Sequence, residues 1–321
     1  MKRLLLTAAL ILMPGLACAQ PPAAPPPAAN QPAAAAPAAR PPLPGADRDA
    51  DPALFVVRDE DTTIYLFGTF HLLDGRTWFN DEVKTAFDAS SELVLEARLP
   101  EDPAAMQGIV LRYAVDPQGR TISSRLTPAQ NTALNRALAG IGVPEGAFER
   151  LEPWFVAMTL AAVSAQQMGI NAENGPETIL TRAAQARNMP IGELEGMEHQ
   201  IRIFDNLPEP LQLAQLTQTL EQLDEIAGQL GPMLGAWSTG NVEELARLTN
   251  QEMDANGRAL YRVIFTDRNA AWATWIQQRM ARPGVVFVAV GAGHLAGNDS
   301  VQAQLRARGV ASSRVPHAVA R

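Results

Sequence analysis

Cysteine is almost missing from this sequence of 321 residues: the one copy, Cys18, lies within an apolar N-terminal run. A single thiol cannot form an internal disulfide. If the chain is cut after Ala19, neither disulfides nor thiolate chemistry can contribute to stability or catalysis. Long hydrophobic runs are lacking too. The longest, Leu4 to Leu16, falls short of the about 20 apolar residues that a bilayer-spanning helix needs. Basic residues are in deficit, 26 Lys and Arg against 34 Asp and Glu, for a net charge of −8. Nucleic acid and anionic membrane surfaces are therefore poor partners. Histidine is scarce as well, with four in the chain.

Against these absences stand three segments of different character. Met1-Lys2-Arg3, the apolar run and Ala17-Cys18-Ala19 before Gln20 read as a cleavable secretory signal over residues 1–19. Acylation of Cys18 is the rival reading, but Gly15-Leu16-Ala17 is a poor lipoprotein box. Loss of Lys2 and Arg3 with the signal takes the remainder to −10. The expectation is a periplasmic or secreted protein with no stable membrane insertion after cleavage. Residues 20–46 are almost all Pro, Ala and Gln, a composition too poor in apolar side chains to offset chain entropy, and read as a disordered spacer. Residues 47–321 read as one domain, long enough to bury a core without staples.

Within that domain short β-rich runs alternate with long helical patterns, which predicts an α/β fold: a central mixed sheet flanked by helices, with a largely helical insertion between strands. Phe55-Val56-Val57 and Ile64-Tyr65-Leu66-Phe67 flank the polar turn Asp59-Glu60-Asp61 and predict a hairpin at the sheet edge. Further strands are expected at Leu93-Val94-Leu95, at Pro190-Ile191 and, longest, over Val285 to Val290. Thr127-Pro128 and Pro153 mark helix starts. A second helical region, Pro208 to Met280, is expected to break at Gly231-Pro232 and Gly240-Asn241, and Thr266-Asp267 to cap a helix carrying Trp272, Trp275 and Ile276.

The chemistry-bearing feature is a repeat: an apolar strand that ends in Gly-x-x-His. Gly68-Thr69-Phe70-His71 and Gly291-Ala292-Gly293-His294 stand 223 residues apart in the same context. Ligands of open α/β sheets bind at the carboxyl ends of strands, and glycine would let the chain turn there so that an imidazole points over the sheet edge. Glu96, after Leu93-Val94-Leu95, and Glu195, beyond Ile191, are charged groups at apolar strand ends, which calls for a partner or ligand. Arg268 at a helix start could reach an anionic group of a substrate or one of those carboxylates. His199 reads as a surface residue near Glu195, His317 as an exposed tail residue, and Glu193 as a sheet-edge charge.

These residues resemble the TraB/GumN family, which is similar to the animal Tiki metalloproteases and more distantly to erythromycin esterases and the haem-binding protein ChaN. The likeness covers about residues 54–315 and rests on Leu66 to His71, Leu95-Glu96, Pro153-Trp154, Gly192 to Gln200, Arg268-Asn269, and Val290 to His294 followed by Gly297. It implies a metal-dependent hydrolase acting on a peptide or small-molecule substrate. In it His71 and His294 ligate a divalent ion, zinc, manganese or cobalt alike; Glu96 is ligand or general base; Glu195 is a second acidic group; and Arg268 orients substrate or a carboxylate. Asn269 is a weaker candidate. No His-Glu-x-x-His signature supports peptidase activity independently. The competing readings are a non-enzymatic protein that captures a peptide or haem in the same crevice, and a scaffold whose histidines are structural.

Overall fold

A computed structural model describes residues 49–100, 102–249 and 255–317. The signal and spacer lie outside the described residues. The chain runs through β1 (Leu54–Arg58), β2 (Thr62–Thr69), α1 (Asp81–Ala89) and β3 (Glu92–Leu95). A first helical block follows: α2 (Pro103–Ala114), α3 (Ile122–Arg125), α4 (Pro128–Gly140), α5 (Pro153–Gln166) and α6 (Pro176–Ala186). After β4 (Ile191–Glu193) comes a second: α7 (Met197–Asp205), α8 (Glu209–Gln222), α9 (Ile226–Ser238), α10 (Val242–Thr249), α11 (Ala255–Tyr261) and α12 (Asp267–Arg279). The chain ends with β5 (Gly284–Gly291), α13 (Val301–Ala307) and β6 (Ser313–Arg314).

One six-stranded sheet takes the order β4-β3-β5-β2-β1-β6. β5 sits at its centre, parallel to β2 on one side and β3 on the other, and β4 is parallel to β3. Its sequence explains the place. Gly-Val-Val-Phe-Val-Ala-Val-Gly has no polar side chain, so both faces can be covered by helices, as a parallel strand requires. Period-2 alternation then divides the core: Val286, Val288 and Val290 pack on one face with Trp272, Ala273, Ile276, Val301 and Leu305. Phe287 and Ala289 pack on the other with Phe67, Phe87, Trp154 and Trp237. A third cluster, including Ile122, Leu138, Phe148, Val156 and Leu160, knits the first helical block together.

The mixed sheet, the flanking helices and the helical insertions stand as the sequence predicts. The hairpin is present, with Phe55 opposite Leu66, and the Asp59 carboxylate closes its turn by accepting from the Thr62 amide at 2.8 Å. Its position differs slightly, because the two-residue β6 pairs outside β1 and takes the edge. Helix α4 carries the full reciprocal cap between Thr127 and Gln130.

Two expected helix boundaries are absent. Helix α9 runs through Pro232 to Ser238, and the chain turns away at Gly240, whose φ is 59°. Proline inside a helix costs about 3 kcal/mol. The side chains of Leu230, Met233, Leu234 and Trp237 are all buried along the same helix and outweigh it, at about 1.5–3 kcal/mol each. Nor does a helix begin at Thr266. That residue has helical dihedrals and makes no capping bond, and a π-helical turn over Arg262–Thr266 joins α11 to α12.

Phe287 is fully buried between the rings of Phe67 and Phe87, at 5.7 and 5.5 Å. Phe287→Ala is expected to lower unfolding free energy by about 3–5 kcal/mol in denaturant titration, with an unchanged slope. A loss under about 1 kcal/mol contradicts the central placement of β5.

Candidate functional site at the strand ends

The strand order brings distant residues side by side. Phe67, Ala289, Leu95 and Glu193 form one row across β2, β5, β3 and β4, strands about 4.8 Å apart. His71, His294, Glu96 and Glu195 follow just beyond that row, each on a different strand end. All four are deeply buried or nearly so.

The two Gly-x-x-His turns pack on each other. A Cβ on Gly68 would stand 3.1 Å from both the Cα and the Cβ of Ala292, so glycine is favoured here by close approach, and a larger residue would push the two turns apart by a few tenths of an ångström. Its backbone does not lie in the left-handed region, and Gly291 has φ −52°, so the sharp turn expected from the sequence is not the reason for either residue. The Gly68 carbonyl accepts from the Trp237 indole at 2.8 Å, which pins the turn to α9.

Each imidazole is fixed through Nδ1. His71 Nδ1 lies 2.5 Å from Glu177 Oε1, and the Thr69 hydroxyl donates to the same oxygen. His294 Nδ1 lies 2.6 Å from Asn269 Oδ1, while the Asn269 amide donates to the Asp299 carbonyl at 2.8 Å. With those oxygens accepting, Nδ1 carries the proton and Nε2 is left as the inward atom. His71 Nε2 is buried and has no hydrogen-bond partner. His294 Nε2 faces the Arg268 guanidinium at 3.2 Å and Glu96 Oε1 at 3.7 Å.

Arg268 links the carboxylates. It donates from Nη2 to Glu96 Oε2 at 2.7 Å, from Nε to Glu195 Oε1 at 2.8 Å, and from Nη1 to the Ile264 carbonyl at 3.2 Å. The last bond explains the π turn: the widened turn leaves a backbone acceptor inside the site, and the guanidinium takes it. Glu96 also accepts from the Gly291 amide at 2.6 Å and from Gln200 at 3.0 Å, so both its oxygens are engaged. Glu195 keeps Oε2 buried without a hydrogen bond.

The environments push the ionisable groups apart. Burial disfavours the Glu96 anion, but the Arg268 guanidinium, the two imidazoles and the Gly291 amide together outweigh it and hold the pKa below the ordinary range. At Glu195 burial wins over the same guanidinium and raises the pKa. Burial disfavours a charged His71, yet the Glu177 carboxylate reverses this and raises its pKa, while His294 is driven well below its usual value by burial.

The sequence-predicted residues His71, Glu96, Glu195, Arg268 and His294 thus lie in one buried cluster. Asn269 holds an imidazole and does not face the centre. His199 is 65% exposed at its side chain, 3.8 Å from Glu195, and Glu193 accepts from the Arg98 amide at the sheet margin. Sequence reasoning missed Glu177, Thr69 and Gln200. Glu177 sits in the first turn of a helix behind a proline, where an acid is ordinary, so no local signal sets it apart.

Two clefts reach the cluster. One, about 240 Å³, touches His71 and Glu177; the other, about 530 Å³, touches Glu195, Arg268, Trp272 and Trp275. The donor atoms of His71, His294 and Glu96 are not gathered within 4.8 Å of one another. Among the described residues, the trio that meets that spacing is Asp51, Asp81 and His317, on an exposed flank.

An open-sheet α/β protein with paired imidazoles and carboxylates at its strand ends is the class so defined. The chain belongs to the TraB/PrgY/gumN family, which it matches over residues 53–314. It is 31% identical over 197 residues to Escherichia coli K12 YbaP, covering 60% of this chain and 71% of that protein. It is 22% identical over 306 residues to a protein of Amphimedon queenslandica named metalloprotease TIKI homolog, covering 78% of this chain and 59% of the other. A Treponema pallidum protein is 22% identical over 280 residues, 83% of each chain. No solved structure matches. No helix among the described residues is long and apolar enough to cross a membrane.

Arg268→Ala would leave Glu96 and Glu195 buried without their cation. The expected cost is about 3–5 kcal/mol of stability by denaturant titration, with partial recovery in Arg268→Lys. A loss under about 1 kcal/mol shows that the guanidinium is not what holds the carboxylates together.

Proposed function

We propose that the protein is a metal-dependent hydrolase acting on peptide bonds outside the cytoplasm. The observation that carries this reading is the pair of imidazoles whose Nδ1 atoms are tied to Glu177 and Asn269 and whose Nε2 atoms are turned inward. A histidine that ligates metal almost always donates its other N–H to a carboxylate or carbonyl, which fixes tautomer and ring orientation. Charge balance supports the same reading. Glu96 and Glu195 share the Arg268 guanidinium, while Glu177 lies on His71, so three buried carboxylates surround one permanent cation and a divalent ion beside the imidazoles would offset the remaining negative charge.

His71, His294 and Glu96 would hold the ion, with Arg268 giving up its contact to His294. When bound, a divalent metal supplies Lewis acidity and lowers the pKa of its water to about 7. Glu96, with both oxygens engaged, anchors the site as an anion. Glu195 has a buried oxygen without a hydrogen bond and borders the larger cleft, so it is the group placed to take and return a proton. Arg268 orients both carboxylates. The relative named as a metalloprotease homologue is what turns the general reading toward peptides.

The test is metal analysis of the purified protein beside His71→Ala, His294→Ala and Glu195→Gln, with peptide-library turnover and a chelator control. The two histidine variants are expected to lose the ion, whereas Glu195→Gln keeps it and loses about 10²–10⁴ in turnover. Equal metal content in all proteins ends this version. Ligand capture without turnover in the loaded protein would favour a binding role.

A further inference from the structure

The smaller cleft has the makings of a selective ligand site. One wall is a single face of α6, where Thr178, Thr181, Arg182 and Gln185 recur at helical spacing. The opposite wall is the end of β3 and the start of β4, with Leu95, Leu99 and Ile191. At its inner end lie His71 and Glu177, each with a buried polar atom, Nε2 and Oε2, that has no hydrogen-bond partner. Unpaired buried polar atoms are costly unless a ligand completes them.

Charge sets this cleft apart from the molecule around it. The whole chain carries −8, yet two exposed arginines, Arg98 and Arg182, line the opening. Arg182 makes no hydrogen bond or ion pair among the described residues. A guanidinium fork suits a carboxylate, to which it can donate two parallel bonds. Size limits the rest of the ligand. A volume of about 240 Å³ is below the roughly 300–1,000 Å³ of sites that enclose drug-sized molecules, so one residue fits where haem or a longer segment does not.

We propose that this cleft receives the carboxyl-terminal residue of a peptide, with its apolar side chain against Leu95, Leu99 and Ile191 and its free carboxylate on Arg98 and Arg182. The peptide class of this ligand rests on the hydrolase reading; with the carboxylate at the rim and the side chain directed inward, the rest of the peptide runs outside the cleft. An amidated end or an acidic last side chain would lose one of the two recognition elements.

Binding can be measured without turnover. Fluorescein-labelled Ala-Ala-Leu with a free carboxyl end and its amide are titrated by anisotropy into the chelator-treated protein. The acid is expected to bind about tenfold more tightly than the amide, a preference worth about 1.4 kcal/mol. Arg182→Ala and Arg98→Ala should each shrink that ratio, and the double variant should abolish it. Both side chains are exposed, so unchanged thermal unfolding is the control for fold. Equal binding of acid and amide overturns the proposal, as does binding of neither, or a ratio that survives in the double variant. A protein that never hydrolyses peptides yet keeps the ratio refutes the hydrolase and leaves the carboxylate cleft standing.

Discussion

The Arg268 guanidinium, 6% exposed at its side chain, lies between two buried carboxylates that belong to different strand ends. Each of those anions would be costly alone, since burying an unpaired charge forfeits its hydration. With the fork between them, Glu96 on β3 and Glu195 beyond β4 are held in one plane of hydrogen bonds, and the π turn behind Arg268 gives the guanidinium its third acceptor. The stacking of Arg268 over Trp272, 4.7 Å from the ring centroid, ties this electrostatic centre to the apolar layer beneath the sheet. Loosening any of the three contacts would release the others, because the same planar group makes them all.

The histidines depend on this arrangement indirectly. His294 is packed between Phe265 and Trp272, at centroid distances of 4.9 and 4.3 Å, and reaches Arg268 through Nε2. His71 is held from the opposite side by Glu177 on α6, an element of the first helical block. The site is therefore assembled from both helical insertions and from four neighbouring strands. Chemistry at the strand ends and the packing of the helical blocks are coupled, since the same helices supply core and orienting residues.

Much of this was legible in the residues. β5 announces itself as a central strand because it has no polar side chain, and the two Gly-x-x-His turns stand out because histidine is rare in the chain. Glu96 and Glu195 were visible as charges where apolar strands end. What stayed hidden was non-local. Glu177 looks like any acid opening a helix, and only the fold reveals that it faces an imidazole 106 residues earlier. Thr266-Asp267 has the composition of a cap, but the preceding helix widens by a π turn and continues, and no capping rule registers that choice. Pro232 misled for a related reason: burial of its neighbours outweighs a local penalty that a sequence pattern weighs alone.

One consequence follows from the place of β5. The strand that joins the two halves of the sheet is made some 220 residues after its neighbour β2. Closing so long a loop carries an entropic cost that must be met before the parallel ladder can form. A chain still emerging from the ribosome has β1, β2 and β3 but no strand to seat between β2 and β3, so neither face of the sheet can be completed. The two halves of the sheet can be joined only once residue 291 has been added.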